Sequence, residues 1–176
     1  MKYILHQTYK VVAVVFFIST LIFAQSSVDP IQYVNNKVEV GIESIVKDGE
    51  DYIINIYAIN PYDPIAGVQF KFFPEDLFII NEVYGGRCEE KGFQMHHNKS
   101  GTILGFSMVA NTLDPSSIVS GPSKLNENIV LSIKASPNKV LEYDKNIDIV
   151  LECVFASKKG LVLESNYVPF QISQIK

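Results

Sequence analysis

Apolar and polar residues change places at every second position through most of this chain. Val38, Val40 and Ile42 alternate with Glu39, Gly41 and Glu43, which is the period of a strand with one buried face. Asp48-Gly49 follows, a pair that accepts the positive φ of a tight hairpin turn. Asp51 to Asn60 sets Tyr52, Ile54, Ile56 and Ala58 against Ile53, Asn55, Tyr57 and Ile59, and the two prolines of Asn60-Pro61-Tyr62-Asp63-Pro64 then break the strand. Further strands are predicted over Ile65–Phe73, Leu77–Tyr84, Gly92–Asn98, Gly101–Val109, Ile129–Ala135, Ile147–Ala156 and Tyr167–Ile172. Gly85-Gly86 ends the fourth strand, and Leu104, Phe106 and Met108 share one face of the sixth. No stretch keeps a helical period for three turns. Asn111 to Asn128, NTLDPSSIVSGPSKLNEN, is polar with two prolines and a glycine, and reads as a loop over the surface. Eight to nine short strands with both faces partly apolar predict an all-β fold: an antiparallel β-sandwich or jelly roll of two packed sheets.

The N-terminus has a different pattern. Lys2 and Lys10 flank a polar start, and Val11 to Ala24 (VVAVVFFISTLIFA) is uncharged over 14 residues. That run fits a signal-peptide core, whereas a membrane-spanning helix needs about 20 apolar residues. Ala24 is the expected cleavage position, with Gln25-Ser26-Ser27 following at once. The alternative is an uncleaved N-terminal anchor. The expected organisation is therefore a signal peptide over 1–24, a loose leader over 25–37 and one domain over 38–176, giving a protein that is secreted or held at the cell surface with no membrane insertion after cleavage.

Composition narrows the function. The chain has 176 residues, 47% of them hydrophobic and 19% charged, a globular make-up with room for one domain. Loss of residues 1–24 removes two of the 15 basic residues and no acid, taking the net charge from −4 to −6. An acidic chain offers no basic surface to phosphate backbones, which argues against nucleic acid as a partner.

Four stretches together resemble cohesin domains, the exported jelly-roll modules that bind dockerin domains. They are the alternating strand DYIINIYAIN (Asp51–Asn60); PIAGVQFKFFPEDLFIINEV (Pro64–Val83), centred on Ala66-Gly67-Val68-Gln69-Phe70-Lys71-Phe72; Tyr84-Gly85-Gly86 leading to Gly92-Phe93; and Ile103-Leu104-Gly105-Phe106-Ser107. IDIVLECVFAS fits the same order, and the likeness covers roughly residues 38–173. It implies a nine-stranded antiparallel jelly roll, no catalytic residues, no cofactor, and recognition of an extracellular protein, dockerin-like, through one sheet face. Outward side chains of the third strand carry much of such a contact. Alternation points Val68, Phe70 and Phe72 inward and leaves Gly67, Gln69 and Lys71 outward, with Ser107 outward on a neighbouring strand. Cellulosomal members of the family place an acidic or amide residue on this strand. Gln69 supplies an amide, which donates as well as accepts.

Other chemistry finds little support. Gly105-Phe106-Ser107-Met108-Val109 lacks the last glycine of a nucleophile elbow and lies in a strand pattern instead of a strand-to-helix turn. Residues 25–176 hold two histidines, His96 and His97, and neighbours on a strand project to opposite faces, so they cannot share one metal. The carboxylate pairs Glu75-Asp76 and Glu89-Glu90 fall in expected loops. No dockerin-type calcium loop occurs. The expectation is no enzyme, no metal and no cofactor. Cys88 and Cys153 can pair in only one way, and export permits that disulfide; a buried free thiol at Cys153 is the alternative. A second functional reading is a carbohydrate-binding module for polysaccharide. The chain has no Trp, so an aromatic sugar platform falls to Tyr57, Tyr62 and Tyr84.

Overall fold

The structure is a computed structural model and describes residues 37–176 apart from 76, 100, 117–125, 139–147, 172–173 and 176. The expected signal peptide and nearly all of the leader lie outside the described residues, as do Asp76 and the middle of the polar loop. Among the described residues no helix is long and apolar enough to cross a membrane.

Eleven strands and a short helix follow in order: β1 (Val38–Asp48), β2 (Asp51–Ile59), β3 (Ile65–Phe73), β4 (Phe78–Tyr84), α1 (Gly86–Glu90), β5 (Gln94–His97), β6 (Thr102–Phe106), β7 (Ile129–Pro137), β8 (Asp148–Ser157), β9 (Val162–Leu163), β10 (Ser165–Val168) and β11 (Phe170–Gln171). One sheet runs β10-β1-β2-β7-β4, the other β11-β8-β3-β6-β5, with β9 added to β8. Their inner faces bury the alternating set: Val38, Val40, Ile54, Ile56, Leu131 and Ile133 from the first sheet, and Val68, Phe70, Phe72, Ile103, Leu151 and Phe155 from the second. Phe70 and Phe155 meet edge to face at 5.7 Å and 79°; burying an aromatic ring of this size contributes on the order of 2–3 kcal/mol.

The expected strands are present, with three corrections. Among the described residues there are eleven segments, where nine strands were expected. The pairing is not wholly antiparallel: β10 runs parallel to β1, Val38 opposite Ser165 through Gly41 opposite Val168. The single strand expected over Tyr167–Ile172 is divided by Pro169, a residue with no N–H for a ladder. Its first part joins β1 and its second joins β8, where Phe170 pairs with Ile149, so one segment serves both sheets. Tyr167 Oη donates to the Ile149 carbonyl across the same corner.

Local phase explains two departures from simple alternation. The inward residues Val38, Val40 and Ile42 are followed by Ile45, a step of three, and the register shifts between Ile42 and Ser44. The β-bulge there turns Ile45 back into the core. The Asn111–Asn128 loop is also not wholly superficial. Leu113 is fully buried and bridges to Ile65, and Ala58 N–H donates to the Asn128 carbonyl at 3.0 Å.

Candidate functional site

The two outer faces of the sandwich differ in chemistry. On the first sheet the polar groups satisfy one another. Asn55 donates to Ser44 Oγ at 3.0 Å and Ser132 Oγ donates to Asn55 at 2.7 Å. Ser136 Oγ donates to Asp51 at 2.6 Å, and Asn81 donates to both Ser136 Oγ and Asp51. Lys134 lies 3.6 Å from Asp51 and 3.9 Å from Asp48. Tyr57 is 3% exposed: its ring lies over Gly41, where an added Cβ would sit 2.8 Å from the ring, and its hydroxyl donates to Glu39 at 3.4 Å. Burial, with the Glu39 carboxylate, pushes the Tyr57 phenol above its ordinary value.

The outer face of the second sheet has an apolar centre. Register aligns His96, Leu104, Gln69 and Val154 in one cross-strand row, Gln94, Phe106, Gly67 and Ala156 in the next, and Thr102, Lys71 and Glu152 in a third. Leu104 and Val154 are exposed at 43% and 39%, as is Val150 on β8. His96 stacks on Phe106 with ring centres 5.8 Å apart. The flank at Lys71 is charged: its ammonium bonds Glu75 at 2.6 Å, lies 5.0 Å above the Phe73 ring, and is held above its usual pKa range by the hydrogen bond to Glu75. Direct cross-strand neighbours lie about 5 Å apart, so these rows form a continuous surface with apolar side chains flanked by amides, an imidazole and an ion pair.

Sequence reasoning placed four residues at the partner surface, and the structure positions them as follows. Gln69 is exposed at the centre of this face, with Gly67 and Lys71 half-buried in adjacent rows. Ser107 departs from expectation. It lies one residue beyond the end of β6, half-buried, and its hydroxyl accepts the N–H groups of Val109 at 3.4 Å and Asn111 at 3.2 Å, so it holds a turn. Leu104, Val154 and His96 join the face from strands whose order in the sheet was not apparent from sequence.

Cys88 and Cys153 are both free, the alternative to the disulfide that export permits. Cys88 is fully buried in α1, a helix packed on β7 of the first sheet, while Cys153 sits on β8 of the second with its thiol donating to the Leu151 carbonyl at 3.1 Å. Burial pushes both thiols up to about 12. The tyrosines expected to make a sugar platform do not come together. Tyr57 is covered on the first sheet, Tyr62 lies in the β2–β3 turn and Tyr84 ends β4.

At one end of the sandwich a cleft of about 290 Å3 is lined by Arg87, Glu90, Lys91, Asp114, Ser116 and Glu127. Its cations are engaged. Arg87 donates to the Ala58 carbonyl and to Asn60 Oδ1, each at 3.0 Å, and to the Asp114 carbonyl. Burial lowers the Arg87 pKa from its ordinary value. Lys91 bonds Asp114 at 2.5 Å and depresses that carboxyl's pKa. Asn60, 1% exposed, is the hub: its amide donates to the carbonyls of Asp63, Leu113 and Asp114, and its N–H donates to Ser116 Oγ. The arrangement fastens loops. Among the described residues no group of three His, Cys, Asp or Glu side chains is placed to hold a metal. His96 and His97 are adjacent and both exposed.

No family model matches the chain, and no curated protein matches it. Solved structures do. The chain is similar to the OlpA cohesin in a type I cohesin–dockerin complex from Clostridium thermocellum, with 14% identity and a TM-score of 0.52 over 80% of this chain and 100% of that one. It is similar to the sixth cohesin of Acetivibrio cellulolyticus scaffoldin B, crystallised with a Cel5 dockerin, with 6% identity and a TM-score of 0.51 over 80% and 98%. A third is the OlpC cohesin of C. thermocellum, with 12% identity and a TM-score of 0.50 over 77% and 91%. The fold is cohesin-like.

Proposed function

We propose that this chain is an exported, non-catalytic recognition module that binds a dockerin-type extracellular protein through the outer face of β8-β3-β6-β5. The observation that carries the reading is the difference between the two outer faces. On the first sheet Asn55 bonds Ser44 and Ser132, Asp51 bonds Asn81 and Ser136, and the exposed Val46, Tyr84 and Val168 stand in separate rows of β1, β4 and β10. The second sheet instead groups the exposed Leu104, Val154 and Val150 around Gln69. A patch with an apolar centre and a polar rim is how protein interfaces are built, and an amide at its centre can meet either a donor or an acceptor. The cohesins that share the fold were crystallised with dockerins, which supports a protein partner over polysaccharide. Export rests on the uncharged Val11–Ala24 run.

Capture from the source organism's secretome tests the reading. The wild-type chain is expected to retain one discrete partner. Leu104→Asp, which puts a charge into the desolvated centre, should weaken that partner by about 30-fold or more, the loss typical of a central interface residue. Lys134→Ser on the opposite face should leave binding within about threefold, as peripheral charges do. Equal retention by Leu104→Asp, or loss with Lys134→Ser, rules this face out.

A further inference from the structure

The five most exposed large apolar side chains among the described residues are Val109 (75%), Val162 (71%), Met108 (69%), Leu161 (64%) and Tyr62 (54%). Four of them stand in loops and Val162 opens β9, all at one end of the second sheet. Ile65, at the start of β3, fixes the geometry. It pairs with Ser157 at the end of β8 on one side and bridges to Leu113 on the other. Beyond Ser157 hangs the turn carrying Leu161, with Val162 opposite Ala156. Between Phe106, which pairs with Gly67, and Leu113 hangs the loop carrying Met108 and Val109. Ahead of Ile65 lies the turn carrying Tyr62. Three apolar tips therefore stand side by side.

Two further observations indicate what they meet. The outer tip carries Lys158 and Lys159, both exposed, directly before Gly160-Leu161-Val162; Asp63 lies within the same three turns, while Asp114 and Glu164, the residues that follow them, are paired with Lys91 and Lys37. The two longer tips also close their own backbone polar groups. Ser157 Oγ accepts Leu161 N–H at 3.2 Å, Ser157 N–H donates to the Leu161 carbonyl at 2.8 Å, and Gly160 N–H donates to the Ser157 carbonyl at 2.9 Å. Ser107 acts in the same way on Val109, Asn111 and Ala110. A loop entering an apolar medium is penalised for each unsatisfied backbone group, and these bonds lower that penalty at Val109, Ala110, Asn111, Gly160 and Leu161. Apolar side chains beside lysines, on loops already hydrogen-bonded internally, match the acyl–headgroup boundary of an anionic bilayer.

We propose that this end of the sandwich docks on an anionic lipid surface, with Leu161, Val162, Met108 and Val109 entering the interface and Lys158 and Lys159 meeting the headgroups. The recognition face, on the side of the same sheet, stays open to a protein partner.

The absence of Trp gives a clean reporter. Full-length Leu161→Trp and Val109→Trp, each with unchanged circular dichroism, should show a blue shift of tryptophan emission with vesicles of phosphatidylcholine and phosphatidylserine, and little with phosphatidylcholine alone. Glu50→Trp, in the β1–β2 turn at the opposite end, should not shift. Because every variant carries the same N-terminal apolar run, membrane binding by that run cannot produce the difference. Lys158→Glu with Lys159→Glu should lower partitioning by about 25-fold or more, from roughly fivefold for each lysine lost at an anionic surface. The proposal is overturned by absence of a shift at both tip positions, by an equal shift at Glu50→Trp, or by equal shifts with neutral vesicles. A concentration-dependent shift without lipid would overturn it in favour of a second copy of the chain. Loss of a protein partner on Leu161→Asp, with no response to vesicles, would assign the tips to that partner instead.

Discussion

One added methyl group, placed at two glycines, separates backbone strain from steric collision. Gly86 opens α1 with φ +62°, and a Cβ built there lies 2.6 Å from the Val130 carbonyl carbon and 2.7–2.8 Å from the carbonyl oxygens of Val130 and Ile129. All three atoms are backbone of β7, a strand paired on both sides by β2 and β4, so none can yield as a flexible side chain would. Gly49 has φ +65° with nothing within 4 Å of its Cβ position. Gly49→Ala should therefore cost only the left-handed conformation, about 1 kcal/mol. Gly86→Ala carries the same strain plus overpacking worth about 1–3 kcal/mol more, some 2–4 kcal/mol in total. Urea unfolding followed by circular dichroism measures both. With a slope of about 2 kcal/mol per M, Gly86→Ala should lower the midpoint by roughly 1–2 M and Gly49→Ala by roughly 0.5 M. Equal costs at the two positions would show that α1 does not press on β7 as described.

Three further outcomes follow from buried polar and titratable groups. Asn60→Ala should destabilise by about 1–3 kcal/mol, because it removes the amide donor to the Asp63 carbonyl and one of the three acceptors of Arg87, which keeps the Ala58 and Asp114 carbonyls; thermal unfolding reads this, and a change under about 0.5 kcal/mol would remove Asn60 as the hub. Thiol reagent at pH 8 should leave Cys88 and Cys153 largely unmodified in the native chain and label both in urea, since burial holds each pKa near 12; rapid native labelling would contradict their placement. The Tyr57 phenol is raised by burial above its ordinary value of 10.0, so the folded state keeps a proton there that the unfolded chain releases. That contribution is complete below pH 10 and is lost as pH rises through the folded value. Tyr57→Phe should thus flatten the alkaline decline in stability, and an unchanged slope above pH 10 would refute the assignment.

What the sequence made legible was whatever one strand dictates alone. Ile65–Phe73 is a strand with the boundaries that alternation predicts, and Val68, Phe70 and Phe72 are buried while Gln69 is exposed, because period-two patterning is a local property. Features that depend on distant partners were not legible. The parallel β1–β10 pair joins residues more than a hundred positions apart, and the signal that could have marked the sheet change was Pro169 inside an otherwise continuous apolar run. Tyr57 is buried instead of contributing to a sugar platform; the notch it fills is made by Gly41, its cross-strand neighbour, and glycine opposite an aromatic residue was the available clue. The candidate face was half visible. Its β3 residues followed from the resemblance to cohesins, whereas Leu104 and Val154 become its neighbours only once β6 and β8 flank β3.

The parallel ladder between β1 and β10 bears on how the domain would carry load. Val38 N–H bonds the Glu164 carbonyl at 2.8 Å, and the pairing runs on to Gly41 opposite Val168. Tension applied between the chain ahead of Val38 and the chain beyond Val168 would pull the two strands in opposite directions along their length. Evenly spaced bonds of a parallel pair would then be sheared together instead of opened one after another. The edge would then give way by rupture of the whole ladder and not by gradual peeling.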